Sequence, residues 1–190
     1  ACPGAQGRGT LVVMNGRIHS GLWVGKRHVS SVEAFDSPLA GAVGEVADQA
    51  VQWFRAAGRA PTVPWKTPSA WPRVDIAVAY AGVDETAMRA FVAAGAQGIV
   101  HAGLGNANTP TAYRAFIQSL PAQGVLVARC ARFITGSVTR ASVYADAQHG
   151  ILTAGPLPPH KVRIVMLLGL AHGMDGPAIQ DWIDRILLAG

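Results

Sequence analysis

Residues that build metal sites and disulfide frameworks are scarce in this sequence. Its 190 residues include 2 cysteines, Cys2 and Cys130, and 6 histidines, no two of which have the His-x-x-x-His spacing. Two distant cysteines cannot form a disulfide scaffold or a zinc knuckle, and paired histidines one helical turn apart are the usual signature of a helical metal site. We therefore expect no metal ion, and the redox compartment stays open.

Charged residues are also few, at 14%, and no apolar run reaches the length of a membrane span. A spanning helix needs about 20 apolar residues, and the stretch "IVMLLGLAHG" is much shorter. The net charge is +5, but the basic residues are scattered, whereas nucleic-acid binding favours a clustered stripe with aromatics. We expect neither a nucleic-acid nor a membrane partner. Residues 1–9 carry no apolar signal core, and the location, cytoplasmic or periplasmic, stays open.

The second half of the sequence alternates between strand and helix patterns. Apolar, β-branched runs at 74–80, 98–103 and 124–129 predict three buried strands. Amphipathic segments between these strands predict two helices, the first capped by Asp84 and the second by Thr109. This alternation predicts an α/β fold with a parallel sheet and right-handed crossovers.

The first half has a less regular pattern. The run "GTLVVMN" at 9–15 predicts a buried strand. A lone strand of this kind cannot bury both faces, so it either joins the later sheet or pairs with an element outside these residues. Residues 58–72 are rich in proline and indicate a linker between two units.

The segment "HAGLGNANTP", residues 101–110, follows the second predicted strand. Ligands of open parallel sheets bind beyond the carboxyl ends of the strands. A phosphate loop would have glycine where Asn108 stands, so the signal for a nucleotide is weak. The other interpretations are a plain turn stabilised by asparagines, or a site where Asn106 and Asn108 present amides to a polar ligand. Composition does not decide between them.

Four stretches resemble the bacterial type II L-asparaginase family, the amidohydrolases of asparagine and glutamine. They are "GTLVVMNGRIHSGLWVGKRHVSSVEAFDSP", "RVDIAVAYAGVDETAMRAFVAAGAQGIVHAGLGNAN", "VLVARCARFITGSVTR" and "GILTAGPLPPHKVRIVMLLGLAH". The resemblance implies a three-layer open parallel sheet like that family's carboxyl-terminal domain, preceded by a remnant of the amino-terminal α/β domain. It implies an incomplete amino-terminal domain at 1–57, a linker at 58–72 and a carboxyl-terminal domain at 73–190. Residues 44–56 fit a helix by apolar spacing, whereas the family has a hairpin there, and both stay open.

The resemblance also implies a chemistry, the hydrolysis of asparagine to aspartate and ammonia without a cofactor. Lys26 matches the family lysine that activates the second of two catalytic threonines. The motifs that carry those threonines, Thr-Gly-Gly-Thr-Ile and Gly-Thr-Asp-Thr, do not occur in these residues. We therefore expect the carboxyl-terminal portion of such an enzyme, inactive when isolated.

The resemblance also implies residues that form the substrate-binding site. Asn108 matches an asparagine that reaches across a subunit interface, which implies a homodimer or homotetramer, and Asn106 is expected to shape the loop. The family glutamate that pairs with the substrate ammonium falls on Val143, and this loss would remove a charge-assisted contact.

Two other function classes stay open. Arg27 beside Lys26 and the valine at 143 favour a non-catalytic binding or assembly module that keeps the fold. A nucleotide-binding α/β domain would rest on the loop 103–108 alone. The preference for asparagine over glutamine is not readable from these residues.

Overall fold

The computed structural model describes residue 2 and residues 4–56, 61–64, 67–141 and 145–189. The chain divides into two compact units, Ala1–Val63 with Asp184–Gly190, and Pro64–Ile183. Each unit is described by itself.

The first unit is built from short strands. They are β1 (Leu11–Met14), β2 (Arg17–Ser20), β3 (Gly25–Lys26), β4 (Phe35–Asp36), β5 (Gly44–Ala47) and β6 (Ala50–Trp53). An antiparallel sheet has the order β1-β2-β5-β6, and β3 and β4 form a separate two-stranded sheet.

The strand predicted at 9–15 forms at β1, but the prediction that it is buried was wrong. β1 pairs with β2 through a two-residue turn in which Asn15 and Gly16 have φ of 49° and 74°. Such positive φ values favour a tight antiparallel hairpin whose twist matches that of the strands. One face of β1 is therefore open, and Val13 is 57% exposed.

Residues 44–56 form a hairpin and not a helix. Val46 faces Val51 and Ala47 faces Ala50 across β5 and β6, and Asp48 and Gln49 form the turn with φ of 50° and 63°. The apolar spacing of this stretch therefore reflects strand pairing, and the expectation from the family resemblance is the correct one.

The second unit contains a four-stranded parallel sheet. Its strands are β7 (Val74–Val78), β8 (Gly98–Gly103), β9 (Leu126–Ala131) and β10 (Leu152–Thr153), in the order β10-β9-β8-β7. The three predicted strands are confirmed within about two residues at their ends. β10 was missed, since two residues are too short for a periodic signal.

Helices cover both faces of this sheet. They are α1 (Thr86–Ala93), α2 (Thr111–Ser119), α3 (Pro159–Ala171) and α4 (Gly176–Ala189). Ile99 of β8 packs into a buried cluster with Met88 of α1 and Ile117 of α2. A Cβ on the preceding Gly98 would meet Met166 of α3. Because successive strand residues point to opposite faces, α1 and α2 lie on one face and α3 on the other. The predicted three-layer α/β architecture is confirmed.

Neither residue predicted to cap a helix occupies the cap position. For α1 that position is Glu85, one residue after Asp84, although the Asp84 carboxylate accepts the backbone N–H of Thr86 at 2.9 Å. The prediction that Thr109 caps α2 was wrong, because Pro110 occupies the cap position with an extended ψ of 140°. Because Pro110 itself has this extended ψ, the helix begins one residue later, at Thr111. None of the helices in the described ranges is long and apolar enough to cross a membrane.

Candidate functional site

A tight loop at residues 104–109 follows β8 at the carboxyl edge of the parallel sheet. The backbone N–H of Asn108 donates to Leu104 O at 2.7 Å and closes the loop. Gly105 and Ala107 adopt positive φ values of 52° and 55°. Ala107 is buried against Gly103, at which no side chain would fit. The loop therefore has a sharply defined backbone.

Asn108 presents its side chain at the surface of this loop. It lines a cavity of about 480 Å³ at the carboxyl ends of β7 and β8, together with Tyr80, Thr111 and Arg114. An amide offers both hydrogen-bond donors and acceptors. The position beyond the strand ends is where open parallel sheets bind ligands.

Asn106 uses its amide within the protein. Its Nδ2 donates to Thr139 Oγ1 at 2.7 Å, and its Oδ1 accepts the Thr139 backbone N–H at 2.9 Å. The side chain therefore links the 104–109 loop to the segment after β9, and this geometry fits a loop-shaping role.

A buried ion pair lies directly behind this loop. Arg129 of β9 and Asp146 are 1% and 4% exposed, and the Arg129 Nε donates to Asp146 Oδ1 at 2.7 Å. Nη2 donates to Asp146 Oδ2, while Nη1 donates to the carbonyl oxygens of Asn106 and Ala107 at 3.1 and 2.9 Å. Sequence reasoning missed this pair, although one arginine inside an apolar strand was an available signal.

His101 is a second buried polar residue of β8. Its ring meets the Tyr113 ring edge-on at 5.7 Å between centroids. Among the described residues, neither ring nitrogen has a hydrogen-bond partner. The pKa of His101 is lowered to about 4, mainly by burial and to a smaller extent by the positive charge of Arg129, while the nearby Asn108 backbone opposes the shift. His101 therefore stays neutral in the folded protein at neutral pH.

This neutral histidine predicts a loss of stability in mild acid. The unfolded chain takes up a proton near pH 6.5, whereas folded His101 resists protonation until about pH 4. The stability contributed by neutral His101 is therefore fully present above pH 6.5, and it is lost as the pH falls from 6.5 towards 4. Between pH 7 and pH 5 we expect the free energy of unfolding to decrease by about 2 kcal/mol from this group.

Urea unfolding of the wild type and His101→Leu at both pH values measures this effect. The variant is expected to show a decrease smaller by about that amount. The contributions of His19 and His160, whose pKa values burial also lowers, stay in both proteins. Equal decreases in the two proteins would contradict the assignment.

Lys26 belongs to the first unit. It lies in β3 opposite Phe35 of β4, and its side chain is exposed. Asn108 belongs to the second unit, and Val143 lies outside the described residues. Within the described ranges, no three histidine, cysteine, aspartate or glutamate side chains form a group that could hold a metal ion.

Protein-family models match both parts of the chain. The "Glutaminase/Asparaginase C-terminal domain" matches residues 73–183, and "Asparaginase, N-terminal" matches residues 1–59. The chain belongs to the glutaminase/asparaginase family. The parallel sheet and its Asn108 loop lie in the part matched by the carboxyl-terminal model, and Lys26 lies in the part matched by the amino-terminal model.

Individual relatives give the same family. The chain is 31% identical over 186 residues to "Probable L-asparaginase periplasmic" of Haemophilus influenzae, covering 95% of this chain and 53% of that protein. It is 35% identical over 181 residues to "Glutaminase-asparaginase" of Pseudomonas fluorescens, covering 93% and 50%. It is 32% identical over 182 residues to "L-asparaginase 2" of Escherichia coli, covering 94% and 52%. The chain therefore spans about half the length of these relatives.

Proposed function

We propose that this chain forms the carboxyl-terminal part of an L-asparaginase-type amidohydrolase, with a linker at 58–72 between its two domains. The observation that carries the proposal is the Asn108 amide. It is exposed on a sharply defined loop, lines a cavity and lies at the carboxyl edge of a parallel sheet in a member of this family. The nucleotide-binding interpretation has less support, because neither matching family model describes a nucleotide-binding domain.

The proposed reaction needs a nucleophile that these residues do not carry. In it, a threonine hydroxyl attacks the side-chain amide carbon of asparagine, ammonia leaves, and water hydrolyses the resulting ester. In this proposal, Lys26 is the base that activates the second catalytic threonine by accepting its hydroxyl proton. A lysine acts as a base near neutral pH when burial or a nearby cation disfavours its ammonium form. Lys26 is exposed in this structure. The proposal therefore requires that the groups which bury it come from the part of the enzyme that these residues do not include.

Asn108 holds the substrate in this proposal. A free amino acid carries a carboxylate that accepts hydrogen bonds and an ammonium that donates them, and one amide can serve either group. We propose that Asn108 does so in the site of a neighbouring subunit of a homodimer or homotetramer. Asn106 supports it through Thr139 and is not itself proposed as a direct contact.

We expect the purified 190-residue chain to release no ammonia from asparagine. Co-expression with the part of the Pseudomonas fluorescens glutaminase-asparaginase that lies outside its match to this chain is expected to restore ammonia release. Lys26→Ala then lowers kcat by about 10²–10⁴-fold, because a general base contributes about that factor. Asn108→Ala raises KM by about tenfold or more, since a hydrogen bond to a charged group is worth about 1.5–3 kcal/mol.

Arg17→Ala is the matched control for Lys26, because it removes another exposed cation from the same unit. It is expected to leave ammonia release unchanged. Ammonia release by the isolated chain that Lys26→Ala abolishes would contradict the need for a second part. Assembly with that second part without ammonia release would favour the non-catalytic module.

A further inference from the structure

At the carboxyl edge of the parallel sheet, two separate side-chain links connect the 104–109 loop to the segment that follows β9. The first link is the Arg129–Asp146 pair, whose Arg129 Nη1 also holds the backbone of the 104–109 loop. The second is the Asn106 amide on Thr139. Asp146 and Thr139 both follow β9, so each link joins the 104–109 loop to the same part of the chain.

We propose that Arg129 and Asp146 are positioning residues that fix the Asn108 amide. This inference rests on the proposed role of Asn108 as a substrate contact. The two carbonyl groups that Arg129 holds are those of Asn106 and Ala107, the residues immediately before Asn108. Fixing these two carbonyls sets the direction from which the Asn108 side chain leaves the backbone.

The guanidinium group suits this task because of its planar fork of donors. Nε and Nη2 bind the two oxygens of Asp146, which orients the plane and leaves Nη1 directed at the loop. Lysine offers one ammonium on a flexible stem and cannot hold a carboxylate and two carbonyls in the same arrangement. Asp146 is in turn contacted by the Thr153 hydroxyl at 3.4 Å.

The loop needs such support because its backbone is strained. Ala107 has a φ of 55°, a conformation that residues with a side chain seldom adopt. It is held between the Arg129 contact on its carbonyl and the closing bond from Asn108 N–H to Leu104 O. Release of the carbonyl permits the loop to relax and the amide to turn away.

Amide hydrogen exchange of the complete 190-residue chain, measured by NMR, tests the proposal without any substrate. In Arg129→Lys we expect exchange of the Asn108 and Thr139 amides to rise at least tenfold relative to that of the β8 amides. Arg163→Lys is the matched control, because Arg163 Nε also donates to a backbone carbonyl, that of Val74, away from this loop. It is expected to leave the ratio unchanged. A uniform rise across the sheet, or the same local rise in the control, would overturn the proposal.

Asp146→Asn provides a second variant, which keeps the size of the side chain if Arg129→Lys does not fold. It removes the charge that orients the Arg129 guanidinium towards the loop, so exchange at Asn108 is expected to rise at least threefold. No change at Asn108 would show that the ion pair does not fix the loop and would overturn the proposal.

The complemented enzyme separates positioning from general stability. There, Arg129→Lys is expected to raise KM for asparagine at least fivefold with a smaller effect on kcat, and to add nothing when Asn108 is already alanine. Additive effects on KM would overturn the coupling to Asn108. A local rise in exchange in an assembly that releases no ammonia would refute the proposed function and leave the positioning of Asn108 standing.

Discussion

Asp146→Ala is expected to lower the free energy of unfolding by about 3–5 kcal/mol, because it removes the carboxylate that pairs with the buried guanidinium of Arg129. Arg129 is 1% exposed, so its guanidinium lacks the hydration that a surface arginine has. The two carbonyls that accept from Nη1 do not neutralise a full positive charge. Urea denaturation at neutral pH, followed by circular dichroism, measures the change.

Asp75→Ala is the control for this substitution. Asp75 pairs with Arg73 at 2.6 Å, but the two side chains are 21% and 48% exposed. An ion pair open to solvent contributes about 0–1 kcal/mol. Equal losses in Asp75→Ala and Asp146→Ala would show that burial does not determine the cost of breaking the Arg129 pair.

The double variant Arg129→Met with Asp146→Leu removes both charges and so tests whether the broken ion pair causes the loss of stability. Replacing a whole buried ion pair by apolar residues is often neutral for stability. Here the carbonyls of Asn106 and Ala107 would lose their donor, so we expect recovery of only part of the loss. A double variant as unstable as Asp146→Ala would contradict an origin of the loss in the broken ion pair.

The elements of the second unit were predictable because their signals are local. A buried parallel strand is a continuous apolar run, as in β8, and an amphipathic helix repeats its apolar residues every three to four positions. Both signals lie within about ten residues of sequence. The hairpins of the first unit were harder, because the run at 9–15 reads as buried unless the Asn15-Gly16 turn is given more weight than the apolar residues before it.

The candidate site was less predictable because its contacts join distant residues. Asn106 and Thr139 are 33 positions apart, and Arg129 and Asp146 are 17 apart. No periodicity relates such pairs, so the partner of an arginine in a strand emerges only from the fold. Asn108 was found through the family resemblance together with its place after β8, and its role as a substrate contact stays a prediction.

Gly103→Ala is expected to destabilise the protein by about 3 kcal/mol, at the upper end for overpacked positions. A Cβ at residue 103 would lie 2.6 Å from both the Cα and the carbonyl oxygen of Ala107. These are backbone atoms of the strained turn, and the same carbonyl accepts from Arg129, so moving them disturbs that hydrogen bond. The free energy of unfolding from urea denaturation gives the size of the effect.

Gly98→Ala separates this clash from the general effect of adding a methyl group to β8. There the nearest atom to a new Cβ is the Met166 Cε at 3.0 Å, the end of a flexible side chain that can turn aside. We expect a change below about 1 kcal/mol, in line with tolerated core changes. The two glycines occupy opposite ends of one strand, so the difference between them isolates the 104–109 loop. If Gly103→Ala were as mild as Gly98→Ala, the loop that carries Asn108 would be deformable, and a defined orientation of its amide would lose its structural basis.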